Sequence, residues 1–409
     1  MPNRLEKCAA DQQEARVQKI FGKSGLRQLR QSSVAVIGVG QLGGSVAQEL
    51  GCLSIPITLV DYGTVEPENI GTQGFRIDHL GMTKVEARAT QISECTTKSK
   101  FLLIPAPIED VGIGIFSQTR LIITALDSRA SRIRVAEIAQ LLGIPMLDLA
   151  VDGTGKRLLG NVALYESSQP DAPGYCCRWD AQGIAAIRNE GQRQGCPSWR
   201  SSGVPITPPT LSAPAFGRAV SGLATTWAID RLLGRADQLM NTQIQLHSGS
   251  TTTLRSLTMQ RSPRCALSHS MLEPISTVSA KTTVGELAKH AVADLGAEPE
   301  AFQLYHRDFV PELFCPLDGQ TRALPRFRHG YRDDEVACGC SPGSEFVPSE
   351  QSDRLNQVMW RRWSAMTWHD LALPASDVVT AVAADGREAH YVIGPPPMPC
   401  TRTTVGRKK

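Results

Sequence analysis

An α/β fold, a doubly wound and mostly parallel sheet followed by a smaller C-terminal α+β domain, is what the sequence predicts, and three observations predict it. Short β-branched runs without polar alternation, Val34-Ala35-Val36-Ile37 first among them, suit strands buried on both faces. Glycine-rich or acidic turns close those runs, and stretches at helical spacing separate them. Beyond about residue 270 the alternation gives way to a mixed pattern with scattered cysteines.

Taken in order, residues 1–30 read as a helical lead-in that carries Arg16 and Lys19. Val34–Ile37 is the first strand, Gly38-Val39-Gly40-Gln41-Leu42-Gly43-Gly44 turns out of it, and Ser45–Leu53 follows at helical spacing. Ile55–Val60 is a second strand ending at Asp61, and Leu121–Leu126 a later one ending at Asp127. Arg129–Leu142 reads as a helix and Pro145–Leu149 as another strand. Residues 167–214 dissolve into Gly, Pro, Ser and Arg around Cys176, Cys177 and Cys196; a patternless stretch this long is expected to be a functional or mobile loop. Ala215–Leu233 resumes as an amphipathic helix, and Thr242–Met259 reads as an antiparallel pair of strands. The main domain is therefore expected over residues 31–270. Residues 271–409 form the smaller domain, with a helix at Val284–Leu295, a cysteine-bearing region at 315–340, and strands near Val378–Ala383 and Ala389–Ile393. No internal repeat is visible.

Composition bounds the function. A net charge of +3 over 409 residues, much of it in the terminal Arg407-Lys408-Lys409, lacks the broad basic footprint of a nucleic-acid binder. No apolar run approaches the roughly 18–20 residues that cross a bilayer, and no apolar core follows the first basic residues, so a cytoplasmic protein without membrane partners is expected. Eleven cysteines are an odd number, too sparse for a disulfide-stapled secreted domain, and their spacing decides their role.

Gly38, Gly40 and Gly43 fit the Rossmann-like phosphate turn: one glycine for the tight turn, one for backbone approach to phosphate, one for helix–strand packing. Asp61, about 20 residues beyond Gly40 at the end of the second strand, is placed to accept hydrogen bonds from ribose hydroxyls. These residues leave NAD, FAD and ATP open.

The chain from Asp61 onward is more particular: Asp61, then Val65-Glu66-Pro67-Glu68-Asn69-Ile70, then Gly81-Met82-Thr83-Lys84, then Thr124-Ala125-Leu126-Asp127. In this order the chain resembles the ThiF/MoeB-like adenylating enzymes, which include the ubiquitin-activating and sulfur-carrier-activating proteins, over roughly residues 14–269. The resemblance implies that ATP is the nucleotide, that Asp61 holds its ribose, and that Asn69 and Gln73 lie near the phosphates. Lys84 and a Mg²⁺ held by Asp127 would offset the charge of the reacting phosphates. Alone, Lys84 reads as a solvated helix-start lysine and Asp127 as an N-cap; the ordered set favours chemistry. Two positions depart from the family pattern. Thr72 stands where an arginine is common, so that either Arg76, four residues on, replaces the lost cation or the contact is absent, and the family's Arg-x-x-Arg lead-in is Arg16 with Lys19. Lysine lacks the bidentate fork of arginine.

Relatives that go beyond adenylation carry a nucleophilic cysteine before the helix matching Ala215–Leu233, and Cys196, among basic neighbours, is the candidate here. The family often binds a structural Zn²⁺ through two Cys-x-x-Cys pairs; here Gly174 replaces one cysteine, leaving Cys177, Cys265 and His269 as candidate ligands. Cys315, Asp318, Cys338 and Cys340 look like a worn zinc ribbon, with His329 between the pairs. Cys52 and Cys95 read as ordinary helix residues, Trp360, Trp363 and Trp368 as packing, and His247 as a strand residue satisfied by its neighbours.

The resemblance thus implies an ATP-dependent adenylyltransferase, a homodimer, that activates the C-terminal carboxylate of a small ubiquitin-like or sulfur-carrier protein. A thioester on Cys196 and a conjugating enzyme as later partner are the extended version. The alternatives are adenylation of a peptide or tRNA-linked carboxylate without a thioester, and a nucleotide-binding scaffold without chemistry. A dehydrogenase leaves the ordered Asn69, Lys84 and Asp127 unexplained.

Overall fold

Alternate residues of the short strands face opposite layers, and this sorts the core. Val34, Val36, Ile57, Leu59, Leu121 and Ile123 pack to one side, and Ala35, Ile37, Val60 and Ile122 to the other. The computed structural model describes residues 4–96, 98–153, 157–169, 171–190, 213–249, 251–273 and 275–399. Helix α1 (Arg4–Gln31) breaks at Gly22, whose φ of 71° lies in the left-handed region, and leads into β1 (Val34–Ile37), α2 (Gln41–Cys52) and β2 (Ile57–Val60). Then come α3 (Lys84–Cys95), β3 (Phe101–Ile104), β4 (Leu121–Thr124), α4 (Arg129–Leu141), β5 (Met146–Asp152) and β6 (Leu158–Tyr165). Helices α5 (Ala181–Glu190) and α6 (Pro214–Leu232) precede the hairpin β7 (Thr242–Ser248) and β8 (Thr252–Thr258).

The strands form one sheet in the order β3-β2-β1-β4-β5-β6-β7-β8, parallel through β5 and antiparallel beyond it. Helices α2, α3 and α6 cover one face, and α4, α5 and residues 108–116 the other. The expected Rossmann-like doubly wound sheet is therefore present. The stretch expected to be patternless contains α5 and a single helical turn at Tyr175–Arg178, because Tyr175, Cys176, Ile184 and Ile187 bury themselves against α4.

A second sheet lies beyond it in the chain. The chain there runs through β9 (Ile275–Val278), α7 (Val284–Leu295) and β10 (Ala301–Leu304), then the small pieces β11 (Phe309–Val310), β12 (Leu313–Phe314), β13 (Thr321–Arg322), β14 (Arg326–Phe327), α8 (Asp333–Val336) and β15 (Val347–Pro348), whose strands make two small sheets of their own, β11-β14 and β13-β12-β15. The chain then adds β16 (Arg354–Asn356), α9 (Gln357–Arg362), β17 (Val378–Val382) and β18 (Glu388–Ile393), and the second sheet runs β16-β10-β17-β18-β9. Thr283 and Glu286 form a capping box at the start of α7, and Gly296 at φ 68° ends it. Trp360, Trp363 and Trp368 pack under this sheet, Trp368 edge-on to Phe302 at 5.4 Å. Val378 and Val392 join the core of the first sheet, and the buried pair Arg307–Asp377 locks the two sheets together. His247 departs from expectation: its Nε2 is buried on β7 without a hydrogen-bond partner among the described residues. No helix among the described residues is long and apolar enough to cross a membrane.

Candidate functional site

Strands β2 and β4 flank β1, so crossovers leave β1 in opposite directions and open a crevice at the carboxyl ends of the strands. Gly38 turns the chain there with φ 85°, and a Cβ on it would stand 2.7 Å from the Ala125 carbonyl oxygen. A Cβ on Gly43 would stand 2.0 Å from the Gly38 carbonyl oxygen, so the third glycine lets α2 begin tight against the turn. That is why α2 starts at Gln41, within the glycine run, and not at Ser45. Gly40 caps the helix without a side chain, which leaves the first-turn amides to an anion. Asp61 Oδ2 accepts from the Val39 amide and Oδ1 from the Gly63 amide, both at 2.8 Å. Each oxygen keeps a second lone pair for a hydroxyl donor.

Lys84 and Asp127 stand at this crevice with no compensating partner among the described residues. Lys84 opens α3, and its stem crosses Gly63, where a Cβ would lie 3.3 Å from its Cδ and Cε. Among the described residues its ammonium makes no ion pair or hydrogen bond, and a cation at a helix N-terminus opposes the helix dipole. Helix stability therefore gives no reason for it. Asp127 is exposed, and its carboxylate likewise has no ion-pair or hydrogen-bond partner among the described residues. It is not the N-cap that its position suggests; Ser128 is, its Oγ accepting from the Ser131 amide at 3.2 Å. Arg132 holds this loop from below, donating to the Leu126 carbonyl at 2.7 Å while paired with buried Asp148. Burial first, then the charges of Asp61 and Asp127, push the Tyr62 phenol up, so both carboxylates bear on one ring.

Beneath the glycine turn lies Arg88, which sequence reasoning did not single out. Its Nη2 donates to the carbonyls of Val39, Gly40 and Gln73 at 3.4, 3.3 and 3.0 Å, and its guanidinium lies 4.6 Å from the centre of the Phe75 ring. Burial lowers its pKa to about 10, which leaves it charged at neutral pH. The side chain of Gln73 covers Gly40, with its Oε1 buried and unpartnered. Asn69 is buried and caps a short turn, its Oδ1 accepting from the Glu66 amide at 3.0 Å. Arg76, the expected stand-in for a lost cation, has its guanidinium on Glu94 at 2.7 and 2.8 Å and on Asp78 at 3.0 Å, in exposed pairs at the protein surface. Thr72 supplies no charge and donates to the Glu68 carbonyl at 2.6 Å.

Other expected site residues lie apart. Arg16 and Lys19 are exposed on α1 before its break at Gly22. Cys196 lies outside the described residues. Cys177, Cys265 and His269 do come together, their ligand atoms all within 4.8 Å of one another and Cys177 Sγ 3.6 Å from His269 Nε2. Cys176, the neighbour, points into the core, and burial pushes its thiol up. The ligand atoms of Cys315, Asp318, Cys338 and Cys340 also cluster. His329 does not join them, because it stacks on Phe327 with centroids 6.4 Å apart. It lines a cavity of about 300 Å³ between α4 and residues 306–329, together with Arg134, Glu137 and Arg307.

The donor set suits a nucleotide triphosphate and its metal: glycine cradles a Cβ would fill, uncapped amides, and an ammonium and a carboxylate without partners among the described residues. Comparison with known proteins agrees in outline. The sequence pattern of the ThiF family matches residues 12–267. The adenylyltransferase and sulfurtransferase MOCS3 of Caenorhabditis briggsae is 26% identical over 160 residues, 38% of this chain and 39% of the relative. Its counterpart in Dictyostelium discoideum is 31% identical over 160 residues, covering 38% and 36% of the two chains. The chain thus spans under half the length of these curated relatives. Among solved structures, Escherichia coli MccB with ATP aligns at a TM-score of 0.46 and 18% identity, covering 59% of this chain and 68% of that one. PaaA aligns at 0.46 and 18%, covering 64% and 76%.

Proposed function

The chain belongs to the ThiF family, and on that premise we propose that it uses ATP to adenylate the C-terminal carboxylate of a small ubiquitin-like or sulfur-carrier protein. The observation that supports the reading is the position of Lys84 beside Asp61 over Gly63 and of Asp127 just beyond β4, both without ion-pair or hydrogen-bond partners among the described residues, near a glycine turn on the topological switch point. In this reading the substrate carboxylate attacks the α-phosphate, the acyl-adenylate forms and pyrophosphate leaves. Lys84 neutralises phosphate charge, and Asp127 binds the Mg²⁺ that would offset the charge of the leaving group. Asp61 orients the ribose, and the first-turn amides of α2 receive phosphate oxygens.

The finer parts belong to the same proposal. Cys196 takes the acyl group as a thioester before a conjugating partner receives it. Cys177, Cys265 and His269 hold a Zn²⁺ whose fourth donor lies elsewhere, a reading supported by their convergence from two loops. The chain works as a homodimer through α1, which carries Arg16, Lys19 and a 71% exposed Ile20 on its surface. Residues 31–270 form the adenylating unit, and 271–409 recognise the carrier or a later partner.

The test is ATP–pyrophosphate exchange with small carriers ending in glycine, beside a non-reducing gel of the wild type and Cys196→Ala. Carrier-dependent exchange with a thiol-labile adduct that vanishes in the variant supports the full reading. Exchange without an adduct leaves adenylation alone, of a carrier or of a peptide or tRNA-linked carboxylate. ATP binding without exchange for any of these substrates points to a scaffold, the reading that Thr72 and Lys19 prompt.

A further inference from the structure

We propose that Cys315, Asp318, Cys338 and Cys340 bind one structural zinc ion that holds together the insert spanning residues 309–348 of the second sheet. Cys315 Sγ lies 3.6 Å from Cys340 Sγ, and Cys338 Sγ lies 3.6 Å from Asp318 Oδ2. All four ligand atoms are within 4.8 Å of one another. A tetrahedral zinc with Zn–S near 2.3 Å and Zn–O near 2.0 Å sets sulfur–sulfur edges of about 3.8 Å and sulfur–oxygen edges of about 3.5 Å. The Cys315–Cys340 and Cys338–Asp318 separations match those edges, and the remaining pairs, all within 4.8 Å, leave room for one ion among the four donors. A Cys315–Cys340 disulfide needs sulfurs about 2.05 Å apart and leaves Cys338 and Asp318 without a role.

The backbone presents both ligand pairs on tight turns. Gly319, at φ 74°, returns its amide to the Cys315 carbonyl at 2.9 Å, and the Cys315 amide donates to the Gln320 carbonyl at 2.8 Å. On the other side Cys338 donates from its amide to the Ser344 carbonyl at 2.9 Å, and the Ser344 hydroxyl closes back on the Cys338 carbonyl at 2.9 Å. Three thiolates and a carboxylate converging on one point are the donor chemistry of zinc, and binding releases the three thiol protons.

The insert also needs such a staple. Strands β11 to β15 have two residues each, and the apolar cluster beneath them is essentially Val310, Leu313, Tyr331, Val336 and Phe346 around the cysteines. A core that small supplies too little burial to order forty residues, whereas metal binding contributes folding free energy directly. Residues 326–330 lie in the chain between the two ligand pairs and place Arg328 and His329 in the cavity against α4. The metal therefore fixes one wall of that cavity.

Zinc per chain, measured by elemental mass spectrometry on the full-length protein, tests this. Cys338→Ser/Cys340→Ser is expected to lose one equivalent relative to wild type, whether or not Cys177→Ser/Cys265→Ser loses another. Zinc-free wild type, unchanged zinc in the Cys338→Ser/Cys340→Ser variant, iron in place of zinc, or an unreduced chain lighter by two hydrogens with Cys315 joined to Cys340 each overturns the proposal. Because serine variants can lose metal by unfolding, Asp318→Cys is the companion. It is expected to retain zinc longer against a chelator and, loaded with Co²⁺, to strengthen the thiolate-to-cobalt absorption over wild type. No change in either readout places the metal elsewhere and overturns the site.

Discussion

Arg88 and Gly44 share one space: a Cβ on Gly44 would lie 2.2 Å from the Arg88 Nη2 that braces the Gly40 carbonyl at 3.3 Å. The glycine run thus makes room for a buried cation as well as for phosphate. Arg88→Met is expected to weaken ATP binding about tenfold, near 1.4 kcal/mol, by releasing the turn. Gly44→Ala is expected to do the same by displacing the guanidinium. Combined, they cost no more than the larger single change, since both remove one interaction. Calorimetric ATP titration of the three variants checks this, and additive losses would sink the shared-space account.

Lys84→Ala and Asp127→Asn are expected to lower pyrophosphate exchange by about 100-fold or more, the scale of a lost charge-stabilising contact at a reacting centre. Neither destabilises the fold by more than about 0.5 kcal/mol, because neither side chain has a partner among the described residues and Lys84 opposes the dipole of α3. Exchange rates paired with urea midpoints test both halves. A large stability loss would return these residues to structural roles.

The sheet was legible where strands are uniformly apolar. Val34–Ile37 and the α7 helix Val284–Leu295 stand where their patterns put them, the helix because Thr283, Glu286 and Gly296 mark both ends. The α5 helix was hidden because its sequence, Ala181–Glu190, is rich in small and polar residues and draws its order from packing on α4. At the site, Gly38, Asp61, Lys84 and Asp127 were readable through order and spacing. Arg88 was not, since a single arginine four residues into a helix carries no signal until Gly44 and Phe75 are brought beside it. The ion pair of Arg76 was unreadable for the converse reason: its partner Glu94 lies a full helix away.

Gly43→Ala is expected to be the most damaging small substitution in the crevice. The obstacle is the Gly38 carbonyl oxygen, 2.0 Å from the new Cβ, and that backbone is already fixed by the turn and by Ala125. A loss above about 3 kcal/mol is expected, since overpacking against backbone has no side chain to move aside. Chemical denaturation checks it; a change below about 1 kcal/mol would show that α2 can shift away from the strand.

His329 gives the fold an acid sensitivity. Burial, then the nearby Arg307, hold its pKa down to about 4 against an ordinary 6.5. Above pH 6.5 neither state binds the proton. Between about 6.5 and 4 the unfolded chain takes it up and the folded chain does not, so stability falls by about 3 kcal/mol and then levels. His329→Asn is expected to flatten much of that decline, leaving the contributions of buried His79 and His390. Urea unfolding at about pH 7.5 and about pH 4.5 measures the difference, and equal slopes in both proteins would refute it.

The two sheets are joined through Asp377. Its Oδ2 accepts from Arg307 Nε at 2.7 Å, and its Oδ1 accepts from the amides of Ile113 and Val378 at 2.9 and 3.0 Å. Arg307 in turn donates to the Val111 carbonyl at 2.8 Å and to the Glu109 carbonyl. Gly112 and Gly114 allow the contact, since a Cβ on either would stand 2.2 or 2.5 Å from the carbonyl of Ala375 or Ser376. Asp377→Ala leaves a buried guanidinium uncompensated and is expected to cost about 3–5 kcal/mol, whereas Arg307→Met/Asp377→Leu recovers much of it by removing both charges. Because the pair reinforces a contact between the two sheets that is otherwise made by few apolar side chains of the second sheet, Val378 and Val392 among them, Asp377→Ala is also expected to split one urea transition into two. A single transition with an unchanged midpoint would show that the apolar contacts of Val378 and Val392 suffice to hold the sheets together.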